Sequence, residues 1–142
     1  MAKRRVILLL LPLLLLLSGC PQDPYKAALQ GSADVSQAVS SAIKITATYY
    51  SAGTIDDKKK ATVAGILDTV TNCNTVFRQA LVNTHNSGQT VKQSYLPIAD
   101  SFVRCAQITP QAMSDPSTSA ILKAVDTAIN GVSLAVQSAK GK

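Results

Sequence analysis

This chain of 142 residues carries 14 Lys or Arg against 8 acidic residues, and it has one His, three Cys and no Trp. All eight acids are Asp, so the Glu and Glu-x-x-His motifs that build carboxylate-bridged di-metal sites in helical bundles are excluded. A single histidine and no Cys-x-x-Cys pair also leave zinc and covalent haem without a ligand set, and no cofactor is expected.

The N-terminus begins with the basic run Lys3-Arg4-Arg5, and twelve apolar residues follow from Val6 to Leu17. That stretch is shorter than the roughly 20 residues a membrane span needs, and the basic start favours the cytoplasmic face. Leu17-Ser18-Gly19-Cys20 comes directly after it. These twenty residues resemble a bacterial lipoprotein signal peptide with its lipobox, in which small residues precede the cysteine that becomes lipidated. The resemblance implies that residues 1–19 are cleaved and that Cys20 carries a covalent lipid, palmitate included, which anchors the protein to a membrane. Pro21 stands where Asp would signal inner-membrane retention in well-studied diderm bacteria, so the resemblance favours an outer membrane facing the periplasm. Without the signal, 11 basic residues face 8 acidic ones, a net charge of +3 that gives nucleic-acid binding little support. Export also leaves Cys73 and Cys105 as an even pair in an oxidising compartment, where a disulfide is the default.

Residues 20–24 form a lipidated cysteine and a short tether, and residues 25–142 are read as one helical domain. Asp23-Pro24 supplies a cap and a first-turn proline for a first helix. Val35, Val39, Ala42, Ile43, Thr46 and Tyr50 recur at three-four spacing along it, and Gly53 ends it. Thr54 is read as the cap of a second helix with Asp56 and Asp57 in its first turn. Val63, Ile66, Leu67, Val70, Phe77 and Leu81 form its stripe, and Ser87-Gly88 closes it. A third helix carries Tyr95, Ile98, Phe102 and Cys105, with Pro97 either in its first turn or kinking it. Thr109-Pro110 is read as its stop. Asp115-Pro116 starts a fourth helix with Ile121, Val125, Ile129, Val132 and Val136 on its apolar face.

No segment alternates apolar and polar residues long enough to suggest a strand, so the fold class expected is all-α: an up-down-up-down four-helix bundle with one inter-helix disulfide. Cys73 lies sixteen residues before Gln89 and Cys105 sixteen after it, so a turn near Gln89 brings the two level. At about 100° per residue each cysteine also lies to the same rotational side of its own stripe, and such flanks face each other in an antiparallel pair. The single histidine, His85, sits among Asn, Thr, Ser and Gly and is read as a solvated residue at a helix end.

The tether reaches roughly 13 Å at most, which holds the domain close to the membrane. Lys26, Lys92, Lys140 and Lys142 fall at the membrane end in this topology. Tyr49, Tyr50, Ile55, Lys58, Lys59, Lys60 and Met113 fall at the far end, where tyrosines, a methionine and a basic run suit a protein contact. The function expected is therefore a non-enzymatic envelope lipoprotein that binds a protein or other envelope macromolecule through its membrane-distal end. Alternatives are a carrier of an apolar ligand between the helices, or an inhibitor, immunity or phage-exclusion lipoprotein. No nucleophile has a visible base, which argues against an enzyme.

Overall fold

The computed structural model describes residues 23–140; the segment read as a signal peptide, Cys20, Pro21, Gln22 and Lys142 lie outside them. The described chain is all helical and contains five helices, α1 (Pro24–Ser51), α2 (Asp57–Asn86), α3 (Lys92–Ala106), α4 (Pro110–Ser114) and α5 (Pro116–Ser138). Four helices were expected. The fifth arises because Thr109-Pro110 starts a helix as well as ending the previous one: the Thr109 side chain accepts from the Ala112 amide, and Pro110 supplies the first-turn φ.

Local chemistry sets the remaining ends. The Asp23 side chain caps α1 through the Tyr25 amide, and the Asp115 side chain caps α5 through the Thr118 amide at 2.9 Å. Asp56, rather than Thr54, caps α2, accepting from the Lys59 amide at 2.8 Å. Thr54 instead donates its amide to the Tyr49 carbonyl, closing the end of α1. Gly53 and Gly88 take φ of +69° and +77°, the left-handed conformation that lets the chain leave α1 and α2 without a Cβ clash. Pro97 is the sixth residue of α3, past its first turn, and the helix continues to Ala106. Both Pro97 and Gln93, whose carbonyl loses its helical donor there, are exposed to water.

α1 packs on α2 and α5, α3 packs on α2 and α5, and α4 rests on α5. The core is made mostly of small and branched residues, Ala28, Val35, Ala42, Val63, Val70 and Val132 among them, with Phe77, Tyr95 and Phe102 the large members. Small side chains exclude water only when backbones approach closely. Gly31 meets that need in α1: a Cβ there would lie 3.1 Å from Val132 Cγ2 and 3.4 Å from its Cα. A polar group crosses the α1–α2 seam. Asn74, 5% exposed, donates to the Ser32 carbonyl and to Ser36 Oγ, while Ser32 Oγ donates to Asn74 Oδ1 at 2.8 Å. α5 is apolar enough to pass for a membrane span by length and composition. Its stripe of Ile121, Val125, Ile129, Val132 and Val136 is buried against α1 and α3, which accounts for that apolarity.

Two glycines in comparable helical positions should respond oppositely. Gly31→Val forces side-chain volume against Val132 and should destabilise the fold by about 1–3 kcal/mol. Gly65→Ala meets nothing within 4 Å, so it should stabilise by about 0.5–1 kcal/mol through helix propensity alone. Urea unfolding of both variants checks the pair of signs.

Candidate functional site

The residues singled out at the end formed by the α1–α2 turn and α4 do come together, but most of them are tied to one another. The Tyr50 hydroxyl donates to Asp57 Oδ1 at 2.7 Å, which raises the phenol's pKa above its ordinary value. Lys60 Nζ lies 3.8 Å from the centroid of the same ring, a cation–π contact. Lys59 Nζ is 2.8 Å from Asp115 Oδ1, spanning the start of α2 and the cap of α5. That lysine, together with the Thr118 amide and hydroxyl, holds the Asp115 carboxyl down at about 2, while the same hydrogen bond raises the Lys59 ammonium. Asp56, Asp57 and Asp115 therefore match Lys58, Lys59 and Lys60 in number, so the tip is charge-balanced. Lys58 stands exposed beside this braced set.

The other residues at this end serve the core. Ile55 is 3% exposed, and Tyr49 and Met113 are half-buried against the core cluster. What the tip exposes is the Tyr50 ring with Lys60 above it, the Asp57 carboxylate beside it, and the Lys58 side chain.

Cys73 and Cys105 are bonded, with Cα atoms 5.9 Å apart across the α2–α3 seam. The stacked rings of Phe77 and Phe102, 4.8 Å between centroids, reinforce the seam next to the bond. Cys73 is buried and Cys105 is exposed, and the bond forms part of the wall of a cleft of about 310 Å³ lined also by Phe77, Ala80, Pro97, Ile98 and Phe102. Sequence periodicity foretold the pairing; the cleft was not foreseen, because its shape depends on how far apart α2 and α3 lie on their outer side.

His85 is exposed in the last turn of α2, at a helix end as expected, but it is not idle: it stacks on Tyr25 with centroids 3.9 Å apart and planes at 4°. Tyr25 in turn lies 6.1 Å from Tyr95, whose hydroxyl donates to the Gln89 carbonyl at 2.6 Å. Burial, with Asp23 and Tyr25 adding to it, pushes the Tyr95 phenol up. Lys92 Nζ donates to the Gln137 carbonyl at 2.7 Å, tying the start of α3 to the end of α5. These contacts join the start of α1, the end of α2, the start of α3 and the end of α5 at one end of the molecule. Among the described residues no group of three or more His, Cys and acidic side chains gathers closely enough to hold a metal ion. Comparison with known protein families, curated proteins and solved structures finds no match to this chain.

Two predictions follow from this chemistry. The Asp115 carboxyl titrates near 2 when folded and near 3.8 otherwise. The stability it contributes is therefore complete above the higher value and is lost as pH falls through the lower one. Asp115→Asn should flatten the fall in unfolding free energy between those two pH values, as measured by denaturant titration across the acid range. Cys73→Ser should lower stability by about 3–4 kcal/mol through the loop that the bond closes. Reductant should reproduce the loss in wild type and leave the variant unchanged.

Proposed function

We propose that this chain is a membrane-anchored, non-enzymatic envelope lipoprotein that binds a protein or other envelope macromolecule through its membrane-distal end. The observation that carries the reading is the spacing of the Leu17-Ser18-Gly19-Cys20 motif from the start of α1 at Pro24. Only Pro21, Gln22 and Asp23 separate a lipidated Cys20 from the helix, and the four peptide steps from Cys20 to Pro24 reach roughly 13 Å when extended. A chain so tethered keeps the end containing Tyr25, His85 and Lys92 against the membrane.

The four long helices are read as running up-down-up-down, with α4 a single turn within the last connection. Residues that meet across helices support this order: Tyr25 with His85, Gly31 with Val132, and Lys92 with Gln137. The turn carrying Tyr50 to Lys60 and the Asp115 cap then face away from the membrane. At that end the ordered Tyr50–Lys60–Asp57 set presents an aromatic face and fixed charges without further loss of side-chain freedom, which favours a specific partner over loose attraction to an anionic surface.

One experiment in cells reads both parts of this proposal. Labelled palmitate should enter the wild-type chain and be absent from Cys20→Ser, which should also accumulate as uncleaved precursor. A photo-crosslinking residue placed at position 58 should capture an envelope component in wild type and lose it when Tyr50→Ala removes the ring. Equal palmitate in both chains overturns the anchor, and capture indifferent to Tyr50 overturns the distal site.

A further inference from the structure

Charge is not spread evenly along the molecule. Residues 23–140 contain ten Lys or Arg and eight Asp. At the end where α1 and α3 start and α2 and α5 finish, Lys26, Lys92 and Lys140 stand against Asp23 alone, and that carboxylate is engaged in capping α1. The other seven basic residues match the other seven aspartates in number, so this end carries the whole excess of the described residues. None of those fourteen lies closer to the end than eight residues along its helix, about 12 Å. That exceeds the roughly 8 Å over which salt of physiological strength screens a charge. Helix dipoles do not alter the sign, because two helices start here and two finish, and their terminal partial charges offset.

We propose that this end is a docking surface for anionic phospholipid headgroups, which holds the bundle upright on the membrane that anchors it. The proposal rests on the lipid-anchored reading, because the tether is what selects a lipid surface as the occupant. The four peptide steps from Cys20 to Pro24 span at most roughly 13 Å, so headgroups are brought to this end of the molecule and to no other. Charge complementarity then selects anionic over zwitterionic lipid. Lys26 and Lys140 are exposed, and Lys92 Nζ is held at this end by the Gln137 carbonyl 2.7 Å away. The three lysines come from α1, from α3 and from the residues after α5. Attraction to a flat surface therefore acts across the end instead of pulling on one flank.

Apolar exposure falls at the same place. Three of the six exposed large apolar side chains, Val82, Val91 and Leu134, lie within about one turn of this end. Val91 stands in the turn between α2 and α3, and the run from Ser87 to Val91 is exposed and uncharged, so it enters a headgroup layer without desolvating an ion. The Tyr25–His85 stack and the Lys92–Gln137 bond tie the four helix ends together, so the lysines approach the surface as one set. The opposite end, with Lys59 on Asp115 and Tyr50 on Asp57, offers an anionic surface no net charge.

The test uses the full acylated chain with a benzophenone amino acid at position 91, reconstituted in vesicles of phosphatidylcholine alone or with about one third phosphatidylglycerol. Irradiation should give phospholipid adducts at position 91 in the anionic vesicles and almost none from a probe at position 58. Lys26→Gln combined with Lys140→Gln should cut the yield at position 91 about fivefold or more, the change that roughly 1 kcal/mol of lost attraction gives. Leaving out phosphatidylglycerol should do the same, and so should salt of about 1 M, which shortens the screening length to about 3 Å. Both lysines are exposed, so the double variant should keep the wild-type melting temperature, which separates loss of docking from loss of fold. Palmitate labelling of the same samples reads the anchor separately. An acylated chain overturns this proposal and leaves the anchor standing if its yield at position 91 ignores phosphatidylglycerol or the two substitutions, equals that at position 58, or consists only of adducts between chains. A chain without palmitate overturns the anchor and the proposal with it.

Discussion

The bond between Cys73 and Cys105 fixes how α2 and α3 lie against each other, and much else depends on that register. With Cα atoms 5.9 Å apart at this point, Phe77 stacks on Phe102 directly beside the bond. α3 ends at Ala106, one residue after its cysteine, so beside the first half of α2 runs the Gln107–Thr109 connection with a cleft between them rather than a packed helix. The cross-link acts where helix packing by α3 stops. In a core dominated by alanine and valine, where each side chain buries little area, constraining the unfolded chain there offsets a shortage that hydrophobic burial alone leaves.

A second constraint acts on the opposite seam. Asn74 and Ser32 bond reciprocally inside the core, and an arrangement that set apolar residues opposite Asn74 would leave its buried amide without partners, at about 1–3 kcal/mol. Such a group adds little net stability but discriminates against wrong registers, and apolar residues of similar size make that discrimination poorly. Gly31 cooperates with it, since α1 can press against Val132 only where no Cβ intervenes. One seam is fixed by a covalent bond, another by hydrogen bonds, and the α1–α5 contact by the absence of a side chain.

The two ends of the molecule are held by different chemistry. Near the start of α1, aromatic rings meet across three helices, Tyr25 between His85 and Tyr95. At the other end, ion pairing and hydrogen bonding dominate, with Lys59 on Asp115 and Tyr50 on Asp57. A run of three lysines next to two aspartates is thereby neutralised largely by its own neighbours. The tip is charge-balanced, with most of its charged and aromatic side chains tied to one another.

Much of this was legible in the sequence because it depends on spacing. Three-four stripes, Asp-Pro starts and glycines at φ near +70° are local properties, and a disulfide between residues equidistant from a turn follows from helix geometry. Local reasoning failed where two local signals competed. Thr109-Pro110 serves equally as a stop and a start, and Thr54 and Asp56 were both eligible caps; which won depended on where the turn placed their side chains. The pairing of Lys59 with Asp115, 56 residues apart, the stacking of His85 on Tyr25 and the cleft between α2 and α3 belong to tertiary structure alone. Each requires residues distant in sequence to be brought within a few ångströms, and no periodicity within one helix encodes that distance. The sequence by itself determined where the four long helices lie, which of their faces turn inward and which cysteines can meet. Only the tertiary structure decided which charges neutralise one another and which apolar surface stays uncovered, because those depend on the separations between helices.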